Sequence, residues 1–156
     1  MAIDLRKENI KMENLVKELN EFLADLNVFY RKVQNYHWNI TGKNFFVMHE
    51  KLEEYYDKIN EQIDEIAEHI LILGKQPLGT MKDYLQITKI VEAKNEKIKE
   101  EDVINNIITD YNTLLQKSIK IKEEAEKQKC YETSSMIDEY ILEYGKNLWM
   151  LNQSKL

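Results

Sequence analysis

Residues that interrupt regular secondary structure are scarce in this sequence. Its 156 residues include four glycines and one proline, and three of those glycines lie with the proline in two short windows, NITGKN (residues 39–44) and LGKQPLG (residues 73–79). Glycine and proline are the strongest local breaks in helices and strands, so long elements are expected outside these windows. The two windows therefore mark the ends of the predicted elements.

Cysteine and long apolar runs are nearly absent as well. The single cysteine, Cys130, excludes an intrachain disulfide, and no cysteine and histidine spacing typical of a zinc site occurs. The longest aliphatic run is ILIL at residues 70–73, far shorter than a membrane span, and residues 1–15 contain no apolar signal region. We therefore expect a cytoplasmic protein without a membrane segment.

The sequence has no excess of positive charge. It contains 22 basic and 28 acidic residues, and the formal net charge of −6 repels polyanions such as nucleic acid. Lysines cluster between residues 117 and 129, but the interleaved glutamates favour an exposed, solvated helix face. DNA binding is therefore not expected. The length and the 43% apolar content indicate a single globular domain over residues 1–156.

Apolar residues recur at three- and four-residue spacings over four long segments, the pattern of amphipathic helices. The first predicted helix covers residues 12–39, and the second begins after the N-cap Asn44 and ends at Gly74, where a left-handed residue is expected. The third follows residue 99, and the fourth is predicted to begin with Thr133 as its cap. The apolar stripe of the second helix consists of Leu52, Tyr56, Ile59, Ile63, Ile66, Ile70 and Leu73.

The connections between these helices indicate the fold. The link between the first and second helices is short, whereas a long crossover joins the second helix to the third. The crossover contains a predicted short helix, TMKDYL. Thr80 begins this helix and forms an approximate capping box with Asp83. No segment has the pattern of a strand. We therefore predict an all-α, ferritin-like four-helix bundle with a short extra helix in the crossover.

A second, polar stripe runs along the second helix. Its members are His49, Glu53, Asp57, Asn60, Asp64 and Glu68, and their spacings of 4, 4, 3, 4 and 4 read the same in both directions. Glu53 and Asp64 are about 16 Å apart along one helix, too far to share a metal ion. A second copy packed antiparallel about a two-fold axis brings Glu53 to Asp64 and His49 to Glu68, which gives two equivalent sites.

An ordinary hydrophilic helix face explains the same stripe. His37, at the inner side of the first helix, is either a structural residue or a further ligand, and His69 is expected to be structural. The third and fourth helices contain no histidine, and no Glu-x-x-His motif occurs, so a di-iron site within one subunit is not expected.

The segment from NYHWNITGKNFF through MHEKLEEYYDKINEQIDEIAEHILILGKQPLGTMKDYL (residues 35–85) and the later LWML resemble the Dps family of miniferritins. The HW dipeptide, the NFF and HE pair and the PLGT turn together are specific. The resemblance implies a ferroxidase that oxidises ferrous iron, preferentially with hydrogen peroxide, and stores ferric mineral in a hollow homododecamer. Protection against oxidative stress is the implied role.

In that family the ferroxidase centre lies between two-fold-related subunits. The resemblance assigns His37, His49 and Glu53 from one subunit and Asp64 and Glu68 from the other as iron ligands. The family acid at the position of Glu53 is commonly aspartate, so the longer side chain could alter occupancy of the weaker iron position. Trp38 matches the family tryptophan beside the centre, which is associated with electron transfer or radical quenching, although an interface anchor explains it equally well.

Two other functions are compatible with the same fold. One is a Dps-like shell that acts mainly by binding nucleoid DNA, and the other is a structural bundle whose polar stripe binds no metal. DNA-binding members of the family usually carry a lysine-rich tail, and neither terminus of this sequence shows one. The residues CYETSSM at the start of the fourth helix offer only Glu132 where many members have aspartates that line a pore.

Overall fold

The computed structural model describes the backbone of residues 5–156 and the side chains from Met12 onward. Residues 1–4 begin the segment predicted to lack a targeting signal and lie outside the described residues. The helices in the described range are α1 (Leu5–Asn39), α2 (Phe45–Ile72), α3 (Met81–Ile87), α4 (Glu100–Lys127) and α5 (Tyr131–Gln153). None of these described helices has the uninterrupted apolar length that a bilayer span needs.

The four long helices pack as a bundle around an aromatic core. Helix α1 packs along α2 and also against α4, and α4 packs along α5. Phe22, Phe29, Tyr111 and Tyr144 are among the largest fully buried side chains. The short α3 lies in the long connection from α2 to α4 and packs against α1. This arrangement confirms the predicted all-α bundle with one long crossover.

The expectation that no strand forms is wrong in one detail. The pair β1 (Ile40–Thr41) and β2 (Ile98–Lys99) forms a short parallel ladder, and Thr41 Oγ1 donates to the carbonyl oxygen of Ile98 over 3.0 Å. A strand of two residues is too short to show the alternation of apolar and polar residues by which strands are recognised in a sequence. The ladder ties the end of the crossover to the turn between α1 and α2. Gly42 in that turn has a φ of 151°, which L side chains rarely adopt, and a Cβ there would lie 3.1 Å from Glu100 Cβ, so the turn favours glycine.

Two of the predicted helix ends are confirmed and one holds only in part. Gly74 is left-handed with φ 77° after α2, and Thr80 Oγ1 accepts the amide hydrogen of Asp83 over 3.2 Å at the start of α3. Asn44 does occupy the N-cap of α2, but its side chain donates to Glu100 Oε1 over 2.9 Å instead of capping the helix. Asn44 therefore links α2 to α4.

The predicted start of the fourth helix at Thr133 is wrong. Helix α5 begins at Tyr131 with Cys130 at its N-cap, because Lys129 adopts a left-handed φ of 57° and ends α4 there. Thr133 is fully buried, 2.6 Å from His69 Nε2 and 3.1 Å from Cys130 Sγ. Its hydroxyl therefore joins α2 to α5, and His69 is a buried structural residue as expected.

The buried face of α2 is rotated from the predicted stripe. Tyr56, Ile63 and Leu73 are only partly buried and lie at the edge of the core. Polar side chains enter the core because each has a partner: Gln62 accepts the Tyr144 hydroxyl over 2.7 Å. The buried residues of α2 are Met48, Leu52, Tyr55, Ile59, Gln62, Ile66, His69 and Ile70.

The lysine cluster of α4 was predicted to be solvated, and this is wrong for Lys117. Its ammonium group is buried and pairs with Glu18 and Glu21 of α1. The prediction considered only the charges within α4 and therefore missed these partners. A second buried pair joins Lys32 Nζ to Asp110 Oδ2 over 2.8 Å. Buried charges of opposite sign therefore hold α1 against α4.

Removing one partner of the buried Lys32 and Asp110 pair should be costly. We expect Asp110→Ala to lower the free energy of unfolding by about 3–5 kcal/mol, because it leaves the Lys32 charge buried without compensation. Glu54→Ala breaks the exposed pair with Lys51 and should cost less than about 1 kcal/mol. Urea denaturation of both variants in the same assembly state measures the difference, and equal losses would contradict the argument.

Candidate metal centre

The end of α1 and the start of α2 hold His37 and His49 against each other. His37 Nδ1 lies 2.6 Å from the carbonyl oxygen of His49, and His49 Nδ1 lies 2.8 Å from the carbonyl oxygen of His37. The two imidazole rings stack with centroids 3.6 Å apart and an interplanar angle of 12°. The short turn between the helices thus sets two histidines side by side.

These contacts determine the tautomers of both rings. A carbonyl oxygen only accepts hydrogen bonds, so each Nδ1 carries a proton and donates it. In the neutral imidazole, Nε2 then carries a free lone pair, the state in which histidine binds metals. Metal-binding histidines usually donate their other ring nitrogen in this way, which fixes the ring orientation. Both rings therefore have the tautomer and the fixed orientation that metal-binding histidines usually have.

Aromatic side chains and one carboxylate surround the histidine pair. The Tyr56 hydroxyl donates to Glu53 Oε1 over 3.2 Å, and the Tyr56 ring lies edge-on to His37 with centroids 5.3 Å apart. Phe45 stacks on His49 with centroids 5.1 Å apart. Desolvation, and then the charge of Glu53, raise the pKa of Tyr56, so its phenol stays protonated. Tyr56 therefore connects Glu53 to the histidines.

The other two predicted ligands lie elsewhere on α2. Asp64 and Glu68 are exposed, and the described residues provide neither carboxylate with a hydrogen-bonding or ionic partner. Along the helix axis, Asp64 is about 16 Å from Glu53. Among the described residues, no group of three or more histidine, cysteine or acidic side chains is close enough to hold a metal ion. One copy of the chain therefore holds His37, His49 and Glu53 in one place and Asp64 and Glu68 in another. That a second copy brings the two groups together stays a prediction.

Sequence reasoning missed the position of Tyr56, which it counted as part of the apolar stripe. The signal that could have found it is Glu53 three residues earlier, since residues three apart on a helix are neighbours. Trp38 was singled out instead. Its ring is 58% exposed and has the Arg31 guanidinium 5.9 Å from its centroid. Tyr56, and not Trp38, is therefore in contact with the candidate ligands of this chain.

The donor types favour a transition metal over calcium or magnesium. Imidazole nitrogen together with carboxylate oxygen suits iron and zinc, whereas calcium and magnesium prefer oxygen ligands alone. Few ligands per metal ion would leave coordination positions open for a small oxidant. The residues present therefore fit an iron-binding site.

Comparisons with known proteins identify the family of this chain. A family model for the ferritin-like domain matches residues 16–154. DNA protection during starvation protein 2 of Bacillus anthracis is 37% identical over 139 residues, which cover 89% of this chain and 94% of that protein. The DNA protection during starvation protein of Helicobacter pylori strain J99 is 32% identical and covers 85% of this chain and 92% of its own length.

A solved structure extends the likeness to three dimensions. The crystal structure of the Dps protein from Vibrio cholerae O1, whose description places it among ferritin-like diiron-carboxylate proteins, matches with a TM-score of 0.91 at 35% identity. The match covers 94% of this chain and 92% of that chain. The family model, which matches residues 16–154, spans both histidines and the whole of α2.

Metal binding can be measured without any redox reaction. We expect His49→Ala to weaken Co²⁺ binding at least about tenfold, since even a residue that only supports a ligand contributes that much. Glu50→Ala removes a neighbouring exposed acid and should leave the affinity unchanged, because Glu50 lies off the polar stripe. Isothermal titration calorimetry measures both, and wild-type affinity in His49→Ala would exclude His49 from the ligands.

Proposed function

Because the chain belongs to the Dps family of ferritin-like proteins, we propose that it is a ferroxidase that stores iron and protects against oxidative stress. Its substrates are ferrous iron and hydrogen peroxide or oxygen, and its product is a ferric mineral held in a hollow homododecameric shell in the cytoplasm. The proposed iron ligands are His37, His49 and Glu53 of one subunit with Asp64 and Glu68 of a second copy.

The main support for this proposal is the pair of hydrogen bonds between His37 and His49. Each ring donates Nδ1–H to the backbone carbonyl of the other residue, so both Nε2 lone pairs are available without rearrangement. Glu53, bonded to Tyr56 nearby, adds the carboxylate that a ferric product favours.

The chemistry needs two iron ions acting together. Each ferrous ion gives one electron, and two electrons with two protons convert hydrogen peroxide into two water molecules. Hydroxyl radical is then not released, which is the basis of the protective role. The names of the relatives from Bacillus anthracis and Helicobacter pylori refer to DNA protection during starvation. Removal of iron and peroxide protects DNA without contact with it.

Two features support the assembly. The palindromic stripe of α2 supplies the missing acids only when a second copy packs antiparallel. The single chain also exposes several large apolar side chains, among them Phe46, Leu142 and Trp149, which are 82%, 75% and 61% exposed. Contacts between copies would bury them.

The shared site can be tested by subunit mixing. Neither His49→Ala nor Asp64→Ala shells should oxidise ferrous iron at the wild-type rate, because each variant disables both sites of a dimer. A mixed dimer keeps one intact site, formed by His49 of one subunit and Asp64 of the other. We expect ferric absorbance after addition of ferrous iron and peroxide to return in co-assembled shells.

The control for this experiment is co-assembly of each variant with itself, which should stay inactive. Native mass spectrometry verifies that the shells contain both variants. Absence of activity in verified mixed shells would refute the shared site, and wild-type activity in either single variant would refute the ligand assignment.

DNA binding separates the main alternative from the proposed function. At a net charge of −6, we expect no mobility shift of duplex DNA at physiological ionic strength, and any shift at low salt should fall steeply as salt is added. Electrophoretic mobility measured across a salt series tests this. A shift that persists at physiological ionic strength would favour the DNA-binding shell.

A further inference from the structure

We propose that Glu100, the first residue of α4, is a positioning residue for the candidate metal centre, because it clamps the turn that holds His37 against His49. This inference rests on the proposed ferroxidase function and deepens it, since it gives a residue outside the ligand set a part at the same site. The clamp keeps both imidazole rings in the orientation and tautomer that leave their Nε2 atoms free for a metal ion.

The geometry of the histidine pair tolerates little movement. The distances from Nδ1 to the carbonyl oxygen of the other histidine are 2.6 Å for His37 and 2.8 Å for His49. Hydrogen bonds of this kind are seldom longer than about 3.2 Å. Both bonds run between α1 and α2, so a shift of about 1 Å between the two helix ends would break them. The relative position of these ends therefore decides whether the rings keep their partners.

The turn between the two helices is not stiff by itself. Helix α1 ends at Asn39 and α2 begins at Phe45, so five residues make the connection. Gly42, in the middle of the turn, has a φ of 151°, and glycine adopts more backbone conformations than any other residue. Contacts from outside the turn must therefore supply its rigidity.

Glu100 supplies two such contacts. Its Oε1 accepts a hydrogen bond from Asn44 Nδ2 over 2.9 Å, and its side chain lies over Gly42, where an added Cβ would be 3.1 Å from Glu100 Cβ. Asn44 is the N-cap of α2, but its side chain makes no capping bond and binds Glu100 instead. Glu100 therefore holds the turn in its middle and at the point where α2 begins.

The position of Glu100 in the fold makes it a firm anchor. It directly follows β2, whose Ile98 and Lys99 pair with Ile40 and Thr41 of the turn. It also begins a helix of 28 residues that packs against α1 and along α5. Side chains on rigid elements place their partners more accurately than side chains on loops do. Glu100 thus fixes the turn to the body of the bundle.

A purely structural role for Glu100 predicts a different result. As an acid in the first turn of α4, Glu100 also interacts favourably with the helix dipole. If it does no more than this, its loss should lower the stability of the fold and leave the histidine pair of the folded protein unchanged. If it positions the turn, its loss should change the tautomers of the histidines and their affinity for metal ions.

The first test reads the tautomers in metal-free protein. Nitrogen-15 NMR of histidine-labelled protein at about pH 8, where imidazole is ordinarily neutral, should show His37 and His49 of wild type protonated at Nδ1. A ring released from its carbonyl partner exchanges between both tautomers, so Glu100→Ala should show Nε2 protonation as well. Glu100→Gln keeps an oxygen that accepts from Asn44 and should retain the wild-type spectrum.

The second test is a double-mutant cycle on Co²⁺ affinity, measured by isothermal titration calorimetry. We expect Glu100→Ala to weaken binding about threefold, because a partly exposed hydrogen bond contributes modestly. Asn44→Ala removes the same bond from its other end and should weaken binding equally. The double variant should lose no more than either single variant. Losses that add would show that the two residues act separately and would overturn the proposal.

Glu101→Ala is the matched control. Glu101 is the next residue of α4, is exposed and also lies in the first turn, so its loss removes the same charge from the helix end. Co²⁺ affinity and tautomers should stay at wild-type values in this variant. Asn44→Ala tests the same bond if Glu100→Ala does not fold.

Two results would overturn the positioning role and leave the proposed function standing in a wild type that oxidises iron. One is unchanged tautomers and Co²⁺ affinity in Glu100→Ala or, if that variant does not fold, in Asn44→Ala. The other is a loss in Glu100→Gln as large as in Glu100→Ala, which would make the charge and not the bond responsible. Wild type that oxidises no ferrous iron would refute the ferroxidase function, whereas the NMR comparison still decides whether Glu100 positions the histidines.

Discussion

The pair of hydrogen bonds between His37 and His49 is the interaction on which the rest of the site depends. The carbonyl of His37 lies in the last turn of α1, where carbonyl oxygens have no partner within the helix, and His49 Nδ1 supplies one. The same bond joins two helices and sets the tautomer of a candidate ligand. Fold and site therefore share one contact, and a change that disturbs the turn at residues 40–44 disturbs both.

The identity of residue 53 has to be considered together with Tyr56. The resemblance to the Dps family leads one to expect aspartate at this position, and the longer glutamate has more conformations to lose when it binds a metal ion. The hydrogen bond from Tyr56, three residues later on α2, restricts Glu53 before any metal is bound. The phenol thus offsets part of the entropy that the longer side chain costs.

Local patterns predicted most of the fold, and long-range partners account for what they missed. Helix periodicity, Gly74 and the Thr80 cap depend on neighbours in sequence, and the structure confirms them. Burial of Lys117 depends on acids almost a hundred residues away, and the position of Thr133 depends on the turn at Lys129 and on His69. No hydropathy pattern contains that information. The two histidines could be singled out because the sequence contains only three, whereas the ring contacts of Tyr56 could be seen only in the three-dimensional structure.

The proposed site also links assembly to metal binding. Each α2 presents Glu53, Asp57, Asp64 and Glu68 on one face, and in the proposed antiparallel packing Glu53 of one copy lies opposite Asp64 of the other, which places like charges together. This repulsion opposes association in the absence of cations. Iron ions bound at the proposed site would replace the repulsion with attraction, so their binding energy would contribute to the interface. By linkage, the packing of two subunits must raise the affinity for iron by the same free energy that iron adds to the packing.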